Sequence, residues 1–272
     1  ALKYSSKKTK RISSAKNAQC FMITYNITGY YTDTTQEYAV DTFVTEFKNS
    51  TAIQSATDDY EKIKAIYDWL CTNVVYDYTN LNSPEYMLKH TAYAAAINHT
   101  AVCQGYAVLF YRLALECGID ARVIAGKGKG ANGWEDHAWN IVKLGGNYYL
   151  LDATWDATKE LYQKPAKYDW FLKGSESFTS HNPGTEQDTY DYTALGVSST
   201  NYDPQTAVSE QYDLNGGGFD ISDLQYLFEY LSTGTVSSID TKKADVNKDG
   251  QVNILDYQAL YEAYKVWVSK AA

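Results

Sequence analysis

Four cysteines in 272 residues are too few for a disulfide-stapled scaffold. Cys20, Cys71, Cys103 and Cys117 also lack any C-x-x-C spacing, which argues against a cysteine-ligated zinc site. No apolar run approaches the roughly 18 residues of a membrane span, so no membrane partner is expected. Basic side chains are in deficit, 24 Lys+Arg against 33 Asp+Glu for a net charge of −9. A surface of that sign repels phosphate backbones and argues against nucleic acid as a partner. The opening ALKYSSKKTKR has no apolar h-region, so no signal peptide is expected at Ala1 and the chain reads as either cytosolic or already trimmed. Acids are missing altogether from residues 1–16, which hold Lys3, Lys7, Lys8, Lys10, Arg11 and Lys16 and leave −15 for the remainder. That segment is expected to be a solvated basic arm.

What is present suffices for a globular fold, with 44% hydrophobic and 21% charged residues. Residues 17–203 read as one mixed helix-and-strand domain. Ile63, Ile66, Tyr67, Leu70 and Val74 make a helical stripe over 58–74, with Asp58 and Glu61 spaced as a capping box. A second apolar helix over 104–117 stops at Gly118. Strands follow at 121–126, 137–144 and 147–154, the last two joined by a tight turn at Gly145-Gly146. Gly128-Lys-Gly130-Ala-Asn-Gly133 matches G-x-G-x-x-G, but a strand follows it where a nucleotide site needs a helix. It is expected to be a mobile loop beside His137. Residues 204–211 read as a linker.

Residues 212–272 contain a repeat. DISDLQYLFEY (220–230) aligns with NILDYQALYEA (253–263) at an offset of 33, giving two loop-plus-helix units that share one core. The second loop, 245–256, reads DVNKDGQVNILD. Asp245, Asn247, Asp249, Asn253 and Asp256 supply oxygens at positions 1, 3, 5, 9 and 12. Gln251 adds a backbone carbonyl at position 7, and Gly250 permits the turn. That alternation suits a hard cation needing six to eight oxygens, and Ca2+ is the expected ion. The first loop offers Asp213, Asn215, Asp220 and Asp223, has Gly217 where the second has Asp249, and lacks the position-7 residue. Weaker binding is expected there.

Paired loops of this kind, each ending in Asp and followed by one helix, resemble a dockerin over 212–272. The resemblance implies docking to a cohesin domain of a scaffoldin, and so an extracellular, cellulosome or bacterial cell-surface location. It also implies that Ile221, Ser222, Ile254 and Leu255, at loop positions 10 and 11, help choose the cohesin. The helices present Leu224, Leu227, Phe228 and Leu231, then Tyr257, Leu260, Tyr261 and Tyr264. They are expected to leave an apolar face exposed.

Upstream, AVCQGYA (101–107), DHAWN (136–140) and LDATWD (151–156) each supply one member of a nucleophile, base and orienter set: Cys103, His137 and Asp152. Cys103 begins a helix, where the macrodipole and free amides favour thiolate. A two-residue turn at Gly145-Gly146 makes paired residue numbers sum to 291. His137 would then face Thr154, with Asp152 a diagonal neighbour on the same face of the hairpin. A carboxylate so placed can fix the tautomer of the imidazole.

Those motifs, together with KIKAIYDWLCTNVVYDY (62–78) and YDWFLKGSESFTSH (168–181), resemble the transglutaminase-like superfamily, a branch of the papain-like cysteine fold, over about 58–181. The implied architecture is α+β, a Cys-bearing helix packed on an antiparallel sheet, followed by a small all-α dockerin. The implied roles are Cys103 nucleophile, His137 general base and acid, and Asp152 orienter, with no cofactor for catalysis. Papain-like peptidases usually carry an oxyanion-hole Gln six residues before the Cys, and Ile97 stands there. The Cys103 amide can give one donor, and Asn98, Tyr93 or Gln104 is the candidate second. Trp134 and Trp155 are expected as cleft walls. The leading expectation is a secreted cysteine peptidase or transglutaminase-like acyl transferase acting on a protein or peptide substrate. A catalytically inactive papain-like binding module, or a carbohydrate-active component, is the alternative.

Overall fold

The computed structural model describes residues 2–15, 18–29, 34–131, 133–161, 167–185, 188–189, 192, 194–233, 236 and 238–271, of which 2–15, 18–29, 184–185, 188–189 and 270–271 by backbone alone. They divide into two compact units, Ala1–Asn201 and Tyr202–Ala272.

The first unit opens with strands β1 (Leu2–Ala15) and β2 (Ala18–Gly29), paired antiparallel with register shifts between Tyr4/Ser6 and Arg11/Ser13. A strand thus runs where a solvated arm is expected. The side chains of the six bases, and of Cys20, lie outside the described residues.

Helices α1 (Thr35–Lys48), α2 (Thr51–Gln54) and α3 (Asp59–Asn73) follow. The expected stripe on α3 is buried, with Ile63, Ile66, Tyr67 and Leu70 all 0% exposed. Asp58 caps α3 by accepting the Glu61 N–H at 2.8 Å. The Glu61 carboxylate reaches past the cap to the Thr57 N–H and hydroxyl at 2.8 and 3.1 Å, one residue further back than a capping box requires.

Strand β3 (Val75–Tyr76) pairs in parallel with β4 (Thr100–Ala101), and helix α4 (Ala92–Ala96) lies between them in sequence. Helix α5 (Cys103–Glu116) begins directly after β4. It ends as the sequence predicts. Gly118 adopts φ +81°, Ile119 N–H donates to Ala114 O, and Gly118 N–H donates to Leu115 O, which is a Schellman closure. At the other end Gly105 is needed for close approach. A Cβ there would meet Ala101 Cβ at 2.7 Å and Lys89 O at 3.0 Å.

Strands β5 (Ala121–Gly130), β6 (Gly133–Leu144), β7 (Asn147–Leu151), β8 (His181–Thr185) and β9 (Asp188–Thr189) form an antiparallel sheet ordered β7-β6-β5-β8-β9. The turn at Gly145-Gly146 holds, with Leu144 opposite Asn147. The G-x-G-x-x-G stretch is not a loop: Gly128 and Gly130 belong to β5 and pair with Glu135 and Gly133. Trp139, Ile141, Leu150 and Phe178 fill the core beside this sheet. Asn140, 2% exposed, ties α5 to it by donating to Ala107 O at 3.0 Å and Arg122 O at 3.2 Å.

The second unit begins with α7 (Pro204–Tyr212), after the short α6 (Ala153–Asp156) of the first unit. Asp203 caps α7. Val208 and Tyr212 pack onto a core of Phe219, Leu224, Leu227, Ala244 and Leu260, so helix stands where the linker 204–211 is expected. Helices α8 (Ile221–Thr233), α9 (Thr241–Ala244) and α10 (Ile254–Ala271) complete the unit, with α8 and α10 starting at equivalent repeat positions. Among the described residues no helix is long and apolar enough to cross a membrane.

Candidate active site and calcium loops

Cys103 is the first residue of α5 and is half-buried. Cys103 is close enough to the His137 ring, which projects from β6, to raise its pKa. His137 Nε2 lies 2.6 Å from Asp152 Oδ2, which leaves Nδ1 as the ring nitrogen available to the thiol. Cys103, His137 and Asp152 are therefore brought together, but not by the expected route. Strand β7 ends at Leu151 and Thr154 lies in α6, so His137 has no cross-strand partner there. Asp152 is the N-cap of α6, where its Oδ1 accepts the Thr154 and Trp155 N–H groups at 2.9 and 3.4 Å.

The pair is nearly dry, with side chains 8% and 1% exposed. Burial works against the charged imidazole, yet the Asp152 carboxylate and its hydrogen bond overcome that and carry His137 up to about 10. Burial likewise opposes charge on Asp152, and two imidazoles hold it well below the usual carboxylate range. Cys71 is the contrasting thiol, fully buried and pushed up by that burial.

Sequence reasoning left His181 without a role, although it closes one of the quoted stretches and is one of only four histidines. It begins β8, is 0% exposed in its side chain, and its Nε2 lies 3.0 Å from the same Asp152 Oδ2. The ligand-capable atoms of His137, Asp152 and His181 all fall within 4.8 Å, the one such group among the described residues.

Trp155 stacks on His137 with centroids 5.0 Å apart, and Gly128 makes room for both. A Cβ there would meet Trp155 Cζ2 at 2.9 Å and His137 Cβ at 3.1 Å. Trp134 is 49% exposed. Three residues from His137 in unbroken register, it falls on the opposite face of β6 and takes Lys129 over its ring at 6.0 Å. Glu135 shares the His137 face instead. Of the oxyanion candidates, Gln104 follows Cys103 on α5 and is half-buried. Tyr93 is half-buried on α4 and Asn98 exposed beyond it.

In the second unit the last ligand positions of the two loops, Asp223 and Asp256, are 0% exposed. Asp256 accepts the Asn247 and Asn253 N–H groups at 3.1 and 2.8 Å. Asp223 accepts those of Leu214, Asn215 and Asp220 at 2.7, 3.2 and 2.8 Å. Asp245 accepts from the Asp249 and Gly250 amides, Asn247 from the Asp249 amide, Asp249 from the Gln251 amide, and Asn253 from the Leu255 amide. In the first loop Asp213, Asn215 and Asp220 accept from Gly216, Gly217 and Ser222. Among the described residues no cationic side chain pairs with Asp223 or Asp256. An all-oxygen set around an uncompensated buried carboxylate fits a hard cation.

Ile221, Ile254 and Leu255 are 59, 57 and 52% exposed, and Ser222 is exposed too. The expected apolar face needs amending. Leu224, Leu227 and Leu260 turn into the core, while Phe228 and Tyr261 remain largely exposed.

Comparison with known proteins finds several partial likenesses. The Kyphoscoliosis peptidase of Homo sapiens is 29% identical over 134 residues, 46% of this chain and 19% of that protein. Its Mus musculus counterpart is 32% identical over 114 residues, 39% of this chain and 17% of that one. The chain thus spans under a fifth of the length of the curated relatives it matches. The crystal structure of a TGase aligns at TM-score 0.41 and 19% identity, covering 61% of this chain and 48% of that one. Residues 47–153, which include Cys103, His137 and Asp152, match the Transglutaminase-like superfamily, and residues 209–263 match the Dockerin type I domain. The chain therefore carries a transglutaminase-like domain followed by a C-terminal dockerin type I domain.

Proposed function

We propose that the first unit is an acyl-transfer enzyme acting on protein or peptide amides, with Cys103 as nucleophile, His137 as base and acid, and Asp152 as orienter. The observation that carries it is the 2.6 Å His137–Asp152 contact with the Cys103 thiol beside the same ring. A thiolate at the start of α5 attacks the substrate carbonyl carbon, forming a C–S bond. The imidazolium gives its Nδ1 proton to the departing amine, and the C–N bond breaks to leave a thioester. Water or a lysine amine then attacks that thioester and passes a proton back to His137, so the thiolate leaves and an acid or a new amide is released. The Cys103 N–H is one oxyanion donor, with Gln104, Tyr93 or Asn98 as the second.

The second unit is, in this reading, an anchor. Asp245, Asn247, Asp249, Gln251, Asn253 and Asp256 would hold Ca2+, and Asp213, Asn215, Asp220 and Asp223 would hold a weaker second ion. Calcium supplies the charge that orders the loop ends. Exposed Ile221, Ser222, Ile254 and Leu255 would then meet a scaffoldin cohesin and place the enzyme in an extracellular, cellulosome-type assembly.

A proteomic screen for cleaved and crosslinked products, comparing the natural chain with Cys103→Ala, tests the enzymatic half. New protein termini or isopeptides made only by the natural chain are expected. Identical product sets from the two proteins would reduce the first unit to a binding module.

A further inference from the structure

We propose that His181 is a positioning residue of the same site: a permanently neutral imidazole whose Nε2–H locks the Asp152 carboxylate beneath His137. This deepens the acyl-transfer reading and rests on it.

Proton accounting leads there. Asp152 Oδ1 takes two backbone N–H groups and Oδ2 takes two ring nitrogens, at 2.6 and 3.0 Å. A carboxylate offers about four lone-pair sites, so all are filled and none is left for a proton. Asp152 is anionic, and both rings must donate from Nε2. For His137 the other nitrogen is the one left to serve Cys103. For His181 the other nitrogen, Nδ1, is buried and has no hydrogen-bond partner.

That orphan fixes the charge of His181. A bare Nδ1 leaves one buried lone pair unused, whereas a protonated one would bury a cationic N–H with no acceptor. Phe178 stacks on the ring at 3.9 Å, and Trp155, Trp139 and Trp170 surround it at 4.3, 4.9 and 5.0 Å. Among the described residues, the titratable groups seen to act on it are Asp152 and His137. Burial is the largest influence and holds its pKa below the ordinary value, although Asp152 pulls the other way. A packing role alone would be met by another aromatic ring. What only a donor provides is a second grip on Oδ2, so that the carboxylate cannot swing away when His137 exchanges its proton.

The test uses the full chain and iodoacetamide, and follows Cys103 alkylation against pH by peptide mapping, with melting measured in parallel. His181→Phe keeps the ring and removes the donor. Its Cys103 should react about tenfold to a hundredfold more slowly at mildly acidic pH, with the profile displaced upward. His181→Gln, which retains an N–H donor, should recover most of that loss at comparable melting temperature. A wild-type profile in His181→Phe, or equal impairment in both variants at matched stability, would overturn the proposal.

Side-chain 15N spectra of the unmodified protein decide the tautomer without any variant. His181 should stay singly protonated at Nε2 between about pH 5 and 8. Protonation at Nδ1 would sink the idea. If natural Cys103 reacts no faster than Cys117, the acyl-transfer reading fails, and the 15N result still judges His181.

Discussion

Asp152 and Asp256 occupy the same local setting and solve the same problem differently. Each sits at the start of a helix, each is about fully buried, and each accepts two backbone N–H groups. Asp152 also meets two imidazoles of its own chain. Asp256 meets no cationic side chain among the described residues. A buried carboxylate with half its lone pairs satisfied by amides still carries a charge that must be balanced. The first unit balances it internally, through His137; the second, in the calcium-binding reading proposed above, would take its balance from an ion. If the proposal holds, a site whose counter-charge is built in stands beside one whose ordering depends on calcium.

Removing the internal balance should have the largest effect. Asp152→Ala leaves His137 without the carboxylate that lifts it to about 10, so the charged imidazole proposed to serve Cys103 is lost. Cys103 alkylation at mildly acidic pH should fall by roughly 10²–10⁴. The same ion pair sets a pH window. A raised His137 stabilises the unit fully below its ordinary 6.5 and ceases to as pH rises through about 10. A depressed Asp152 stabilises it above the ordinary 3.8 and ceases to as pH falls through its lowered value. Melting that is indifferent to pH between 7 and about 10 would break this side of the comparison.

Removing the external balance comes next. Chelation should lower the melting of the second unit and leave the first unit's transition unmoved, by about 2.7 kcal/mol if calcium stood at a hundredfold over its Kd. Asp245→Ala with Asp249→Ala should do the same with calcium present. Calorimetry should give one tight site, because Gly217 and the shortened first loop remove two oxygens there. Two equal tight sites would show that the first loop is not impaired.

How far these two sites were readable differs for the same reason. The second loop is local: all its oxygens lie within twelve consecutive residues, and their alternation is visible without a fold. The closeness of Cys103, His137 and Asp152 was legible from their flanks. Parity nonetheless placed Asp152 on a strand, and the chain instead turns into α6 because Asp152 caps it. His181 could not be read at all. It reaches Asp152 only because β8 closes on β5, a contact across about fifty residues that no periodicity encodes. The 204–211 helix was missed because its polar composition hides two side chains, Val208 and Tyr212, that matter only once Phe219 and Leu260 are beside them.

Gly128→Ala tests how tightly the internally balanced site is packed. The added methyl would press on Trp155 Cζ2 at 2.9 Å and His137 Cβ at 3.1 Å, and both rings are held by neighbours. We expect a loss of about 1–3 kcal/mol in the first unit's stability and slower Cys103 alkylation. Gly130→Ala, where a Cβ meets nothing within 4 Å, is the control and should alkylate as the natural chain does.

The smallest expected effect concerns Asp156, a further buried carboxylate that belongs to neither scheme. Its Oδ2 accepts the Tyr67 hydroxyl at 2.6 Å and the Trp170 N–H at 2.9 Å. Among the described residues no cation pairs with it, and burial raises it from 3.8 to about 6 despite those two bonds. A raised acid stabilises the fold below its ordinary value and ceases to as pH rises through about 6, so at neutral pH its charge is a cost. Asp156→Asn keeps one oxygen to accept both donors and removes the charge. It should therefore be neutral at pH 4 and stabilising at pH 8, by at most about 1 kcal/mol once partial solvent screening is allowed for. Thermal melts at the two pH values read this directly. An asparagine variant destabilised equally at both would mean that the carboxylate has a hidden counter-charge, and that internal balancing in this unit extends beyond Asp152.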